Sequence, residues 1–150
     1  MKRIKPLHLL LPLVFAALLP LLGGCEVRVS NNGDLDGFWH MEKVDTIATG
    51  GTLDLSQERR FWAFQVNLMT VSNLQMGSTY VMYFDHSGGT LRAYNMHYNN
   101  RTEGDPPLEE VTEVNQFGLN ALDETFQVES LSGSRMVLAT DRLRLHFRKF

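Results

Sequence analysis

The chain has 150 residues, with 14 Lys and Arg against 17 Asp and Glu, and a single cysteine. Lys2, Arg3 and Lys5 all precede that cysteine, so residues 25–150 carry 11 basic and 17 acidic side chains, a net charge of −6 over 126 residues. That acidity argues against a nucleic-acid partner, one cysteine excludes an internal disulfide, and 126 residues make one ordinary domain rather than two.

Residues 1–24 read as an export leader, a signal peptide. Lys2, Arg3 and Lys5 form its positive start, and residues 7–22 are a run of 16, apolar but for His8, that contains Pro12 and Pro20. A spanning helix needs roughly 17–25 apolar residues, so the run suits the hydrophobic part of a secretory signal better. It closes on Leu22, Gly23, Gly24 and Cys25. These residues resemble the lipobox of bacterial lipoproteins. The resemblance implies diacylglyceryl transfer to the Cys25 sulfur, cleavage before it and acylation, as by palmitate, of the new amino terminus. Two or three acyl chains anchor stably where one is marginal, at about 0.8 kcal/mol per buried methylene. The expected partner is a membrane, reached through acyl chains on Cys25, and the expected location is the cell membrane or outer membrane. No run of acids resembling a surface-export signal follows Cys25, which favours the periplasmic face.

Residues 25–36 are polar around Ser30, Asn31, Asn32 and Gly33 and predict a lipid-attached linker. As a flexible chain it would hold the domain, residues 37–150, about 20 Å from the anchor. The first strand opens at Gly37, Phe38 and Trp39, with Trp39 and Met41 on one face and His40 and Glu42 on the other. Gly50 and Gly51 break the chain, and residues 52–60 form a polar connection with Leu53 and Leu55 as packing points. Residues 61–71 then alternate, with Trp62, Phe64, Val66 and Leu68 on one face, and predict a single half-buried central strand.

Residues 80–98 predict a hairpin turned at Gly88 and Gly89. A two-residue loop places Asp85 opposite Arg92, Phe84 opposite Ala93, Met82 opposite Asn95 and Tyr80 opposite His97. One face then carries Tyr80, Met82, Phe84, Ala93, Asn95 and His97, and the other Tyr83 and Tyr94. Asp105, Pro106 and the acids after them have the order of a helix start, which predicts one short helix ending near Gly118. The acids of this stretch read as a solvated face rather than a calcium site. Strands at residues 125–131, 135–140 and 142–149 follow. Their loops put Phe126, Val128, Met136, Leu138, Leu143, Leu145 and Phe147 on one face and Arg135, Arg142, Arg144 and Arg148 on the other.

The Gly37-Phe38-Trp39 start resembles the Gly-x-Trp of lipocalins, and the ending Met136-Val137-Leu138 and residues 143–150 resemble the last strands of small lipocalin-like bacterial lipoproteins of unknown function. Residues 36–150 carry the resemblance, without a second or third lipocalin motif, a C-terminal helix or a disulfide. It implies an all-β, antiparallel up-and-down meander barrel of 7–8 strands with one short helix, the tryptophan closing one end. It also implies an arginine stacked on that tryptophan, for which Arg144 and Arg148 are candidates although their register faces them outward. A two-sheet sandwich is the alternative architecture.

No catalytic constellation is present. His40, His86, His97 and His146 show no metal-ligand spacing, and there is no nucleophile elbow or phosphate loop. We expect no enzyme, no catalytic residue, no cofactor and no metal. The expected function is a membrane-tethered lipoprotein of the cell envelope that binds a small apolar or amphipathic ligand inside the barrel, with Trp39, Trp62, Phe64, Tyr80, Met82, Phe84, Asn95 and His97 as ligand-binding residues. Aromatic walls with sparse polar handles are what such pockets offer. The alternative is an accessory or scaffold lipoprotein with a solid barrel that docks an envelope protein partner through its outer face, by the arginine stripe and Tyr83 with Tyr94.

Overall fold

The structure is a computed structural model that describes residues 29–150; the leader, the lipobox and Cys25 lie outside the described residues. Nine strands follow one another: β1 (Gly37–Thr46), β2 (Thr52–Asp54), β3 (Arg60–Gln65), β4 (Leu68–Asn73), β5 (Ser78–Ser87), β6 (Thr90–Tyr98), β7 (Glu124–Leu131), β8 (Arg135–Ala139) and β9 (Leu143–Lys149). Strands β1 and β3–β9 pair in chain order, all antiparallel, and β9 returns to β1, so eight strands close into a meander barrel. Closure removes the exposed edges that an open sheet of this length would present. β2 sits beside the upper half of β1, where β3 has not yet begun.

The strand expected over residues 61–71 is two strands. It turns at Val66 and Asn67, with Gln65 paired to Leu68 and Trp62 to Val71. The turn inverts the alternation, so Met69 and Val71 point inward with Trp62 and Phe64, while Leu68 is 40% exposed. Val66 holds a φ of 60°, a conformation that costs a β-branched residue about 1–2 kcal/mol. Nothing in its residue type announces a turn.

The Gly88-Gly89 hairpin forms with Ser87 opposite Thr90 and Asp85 opposite Arg92. Both glycines have positive φ, 58° and 79°, as a tight two-residue hairpin turn requires. Arg92 nevertheless forks onto Asp123, at 2.8 and 2.6 Å, rather than onto Asp85. The expected register then fails beyond Tyr94. A bulge sets Asn95 and Met96 against Met82, so Val81 faces His97 and Tyr80 faces Tyr98. One extra residue rotates everything after it by one face: Met96 turns inward, and Asn95 and His97 turn out of the barrel.

The helix expected after Asp105 is replaced by two single 3-10 turns, Val111–Glu113 and Asn115–Phe117, ended at Gly118. Asp105 takes a φ of 52° instead of capping a helix, and Pro107 bridges to His97 as an extension of the sheet. Leu108, Val114, Phe117 and Leu119 from this segment are buried and plug the upper end of the barrel. β7, β8 and β9 bring the expected residues inward, with Phe126, Met136, Leu138, Leu145 and Phe147 in the core and Val128 and Leu143 packed against it, but an unexpected bulge between Val128 and Ser130 pairs Leu131 with Met136 and turns Leu131 onto the core as well. Leu55 is buried as a packing point while Leu53 is exposed.

Residues 30–36, expected as free linker, are fixed across the lower end. Ser30 Oγ donates to Asp36 at 2.6 Å and accepts the Val66 N–H at 2.9 Å, and Asn32 Nδ2 donates to the Val66 carbonyl at 2.8 Å. Leu35 is buried beneath them and its carbonyl accepts the Trp39 indole N–H at 2.8 Å. The barrel is thus stoppered at both ends by its own chain. Among the described residues no helix is long and apolar enough to cross a membrane.

Candidate functional site

Six of the eight residues expected to bind a ligand meet inside the barrel. Trp39 and Trp62 are fully buried, and Phe64, Tyr80, Met82 and Phe84 nearly so. Trp62 occupies the centre, its ring 5.1 Å from Phe147 and 5.6 Å from Phe126, and Phe64 packs edge-on against Phe84 at 5.2 Å. Edge-to-face pairs at these distances are favourable in themselves. A side chain bordering a void wide enough for water would keep accessible surface. Trp39, Trp62, Met69, Leu91, Phe126 and Leu145 keep none, at 0%. The aromatics therefore fill the interior against one another, leaving no water-sized gap beside these six side chains.

Two polar groups of this interior differ in how they are satisfied. Tyr80 donates its hydroxyl to Glu113 Oε2 at 2.8 Å, and burial together with that carboxylate pushes the phenol up to about 12. Trp62 Nε1 has no hydrogen-bond partner. A buried donor left alone costs about 1–3 kcal/mol.

Asn95 and His97 do not join the interior. His97 Nδ1 lies 2.7 Å from the Asp105 carbonyl and Nε2 lies 3.2 Å from Asn95 Oδ1, so both ring nitrogens are engaged on the outside of the wall. There they border a concavity of about 300 Å³ with Leu68, Val81, Tyr83 and Arg101, under the loop that carries Arg101 and Asp105. A second concavity of about 410 Å³ adjoins it along Leu68, Val81 and Arg101. Beside them runs an outward row: Leu68 pairs with Tyr83 and Tyr83 with Tyr94, whose rings stack at 6.1 Å, with the Arg92 guanidinium 4.6 Å over Tyr94. Reading Leu68 as inward hid this row in the sequence. The signal that could have found it is Met69 and Val71, apolar residues of the opposite parity.

The arginine stripe is on the outer wall as expected, but three of its four charges, all except that of Arg142, are spent. Arg135 and Arg148 both bond Glu42, at 2.8 and 2.6 Å, and Arg144 forks onto Glu129 at 2.6 and 2.8 Å. Burial raises the Glu42 carboxyl, and Arg148 and Arg135 outweigh it, so the group ends below its ordinary range. The basic side chain over Trp39 is neither Arg144 nor Arg148 but Lys149, with Nζ 4.9 Å from the ring centre. Among the described residues no group of three His, Cys, Asp or Glu converges on a possible metal position. His40 and His146 sit apart from each other, His40 with Nε2 2.6 Å from the Glu58 carbonyl and Nδ1 4.0 Å from Glu42, and His146 with Nε2 2.7 Å from Asp45.

The fold has close counterparts. A lipocalin-like protein from Bacteroides uniformis superposes with a TM-score of 0.60 at 24% identity, over 79% of this chain and 100% of its own. An uncharacterized protein from Bacteroides eggerthii superposes with a TM-score of 0.59 at 18% identity, over 77% of this chain and 99% of its own. At these identities the likeness is one of fold. No curated protein of established function matches the chain. The lipocalin-like domain family matches residues 20–150. With its closed eight-strand barrel, its Gly-x-Trp start and that match over most of its length, the chain belongs to the lipocalin-like domain family.

Proposed function

We propose that this protein is a lipoprotein of the cell envelope, tethered at the membrane, with the periplasmic face favoured, by acyl chains on Cys25, and that it is a non-enzymatic binding module working through the outside of its barrel. The observation that carries the reading is the filled interior: Trp62, packed between Phe126 and Phe147, leaves no accessible surface where a ligand would sit. The outer row of Leu68, Tyr83 and Tyr94 is the contact surface, since tyrosines flanked by an arginine are the side chains that protein interfaces favour. A photo-crosslinking side chain at Tyr83 or Tyr94 of the full chain in living cells should give one discrete adduct with an envelope protein, and the same group at Arg142 should give none. Equal labelling from all three positions would contradict it.

A second reading, a small apolar ligand inside the barrel lined by Trp39, Trp62, Phe64, Tyr80, Met82 and Phe84, is favoured by one observation. The free Trp62 N–H is a donor aimed into an apolar centre, the kind of polar handle a ligand would use. It requires the plug at residues 108–119 to move and make room.

A further inference from the structure

The strand register builds the outer concavity that Asn95 and His97 border. On the outward face Ala63, Thr70, Val81 and His97 follow one another across β3–β6, and Gln65, Leu68, Tyr83 and Tyr94 form the next row. Ala63, Thr70 and Val81 are short, and the loop that carries Arg101 reaches toward them. This leaves two concavities, of about 300 and 410 Å³, that share Leu68, Val81 and Arg101. Both volumes are those of small-ligand sites.

Among the described residues, Val66, Asn95 and Asp105 are the three non-glycine residues with positive φ, and all three border this double concavity. Backbone in that region persists only where its surroundings fix it, and such residues gather at ligand sites. The bulge at Asn95 re-aims side chains at the same place. His97 braces two of the three, through the Asp105 carbonyl and Asn95 Oδ1. Asp105 also holds an unmet acceptor. Its Oδ2 receives Arg101 Nη1 at 2.5 Å, while its Oδ1 is buried and has no hydrogen-bond partner. A buried carboxylate oxygen of this kind calls for a donor.

The rest of the lining selects that donor. Arg101 and Asp105 cancel in charge, as do Arg92 and Asp123 beside Tyr94, so an ion of either sign meets a like charge. Leu68, Val81 and the ring of Tyr83, 38% exposed, form an apolar side. A neutral ring with an apolar C–H face and a rim of hydroxyls matches both halves. Its C–H bonds suit the negative face of an aromatic ring, and its hydroxyls donate as well as accept.

We propose that this outer site binds a neutral pyranose sugar, its C–H face on Leu68, Val81 and Tyr83 and its hydroxyls on Asn95, Arg101 and Asp105. The site shares Leu68 and Tyr83 with the protein-contact row but needs neither that contact nor the lipid anchor. Saturation-transfer NMR tests it, on the full chain in a detergent that carries no sugar. The probes are the methyl glycosides of glucose, galactose, mannose and N-acetylglucosamine, with hexanoate and hexylammonium as charged comparisons. At least one glycoside should bind saturably, with transfer strongest on one C–H face. Asp105→Asn keeps a residue that tolerates positive φ and should weaken binding about tenfold, as loss of a hydrogen bond to a charged group does. Tyr83→Ala, at an exposed ring outside the core, should weaken it several-fold, and Arg142→Ala should leave it unchanged, each variant being checked as folded by circular dichroism. No saturable transfer from any of the four, tighter binding of either charged probe, or binding that survives both Asp105→Asn and Tyr83→Ala would overturn the sugar site. None of these results touches the crosslink from Tyr94, so the protein contact would stand or fall separately.

Discussion

Lys149 Nζ lies 4.9 Å from the centre of the Trp39 ring and donates to the Asp34 carbonyl at 2.8 Å. One ammonium group thus ties the last strand, the first strand and the stopper. Gly37 belongs to the same contact: its φ is 120°, and a Cβ there would stand 2.9 Å from the Lys149 Cε. Glycine is used because it lets the lysine stem pass. The geometry couples Gly37 and Trp39 to a basic residue from the far end of the chain.

Lys149→Met keeps the stem and removes the charge. It should lower stability by about 1 kcal/mol, the worth of a cation over an indole near the surface plus one hydrogen bond. Urea unfolding checks this, and an unchanged midpoint would show the contact to be idle.

The two tryptophans differ in one bond. Trp39 donates to Leu35 at 2.8 Å, whereas Trp62 Nε1 donates to nothing. Replacement by Phe removes the same volume from both, so the cavity terms are alike. Trp39→Phe should cost about 1–2 kcal/mol more than Trp62→Phe, because it also leaves the Leu35 carbonyl unpaired. Equal costs in chemical denaturation would mean that Trp62 has a partner in solution.

Val66→Gly should stabilise the protein by about 1 kcal/mol, since glycine adopts a φ of 60° without the strain a β-branched residue bears. A loss of stability would show that the Val66 side chain earns more in packing than the backbone gives up.

Acid unfolding has a specific early contributor. Hydrogen bonds from Lys43, Thr52 and His146 hold the Asp45 carboxyl down from 3.8 to about 2. A group whose folded pKa is depressed stabilises above its unfolded value and loses that contribution as pH falls through the folded one. The urea midpoint of wild type should therefore exceed that of Asp45→Asn above pH 4, and the two should converge as pH falls toward 2. A constant gap would assign the difference to packing instead.

What could be read from the sequence depended on whether a turn had its own chemistry. Gly88-Gly89 announces positive φ, and the hairpin register around it is correct as far as Tyr94. Ser132-Gly133-Ser134 and Thr140-Asp141 mark turns by their small polar residues, and the residues expected inward on β7–β9 are all in or against the core, although the bulge between Val128 and Ser130 that adds Leu131 carries no mark. Val66-Asn67 carries no such mark, and the unbroken alternation through Leu68 concealed it. Asn95, at a φ of 54°, marks a bulge only in retrospect, since asparagine is equally common in ordinary loops. That single residue moved Asn95 and His97 from the interior to the outer concavity. The residues after Asp105 have helix-start chemistry, but Pro107 extends the sheet to His97 and Leu108, Val114 and Phe117 are needed inside the barrel mouth, so tertiary packing overrode the local preference. The stopper at residues 30–36 was invisible because its partners, Val66 and Lys149, are far away in sequence.

Whether the interior is filled is tested most directly by titrating the full chain with fatty acids and a hydrophobic dye while following tryptophan emission, with Trp62→Phe as the control. A filled barrel gives no saturable change in either protein, because Trp62 is already enclosed by Phe126 and Phe147. A saturable one-to-one change in wild type that disappears in Trp62→Phe would contradict it and place the ligand at the free indole N–H.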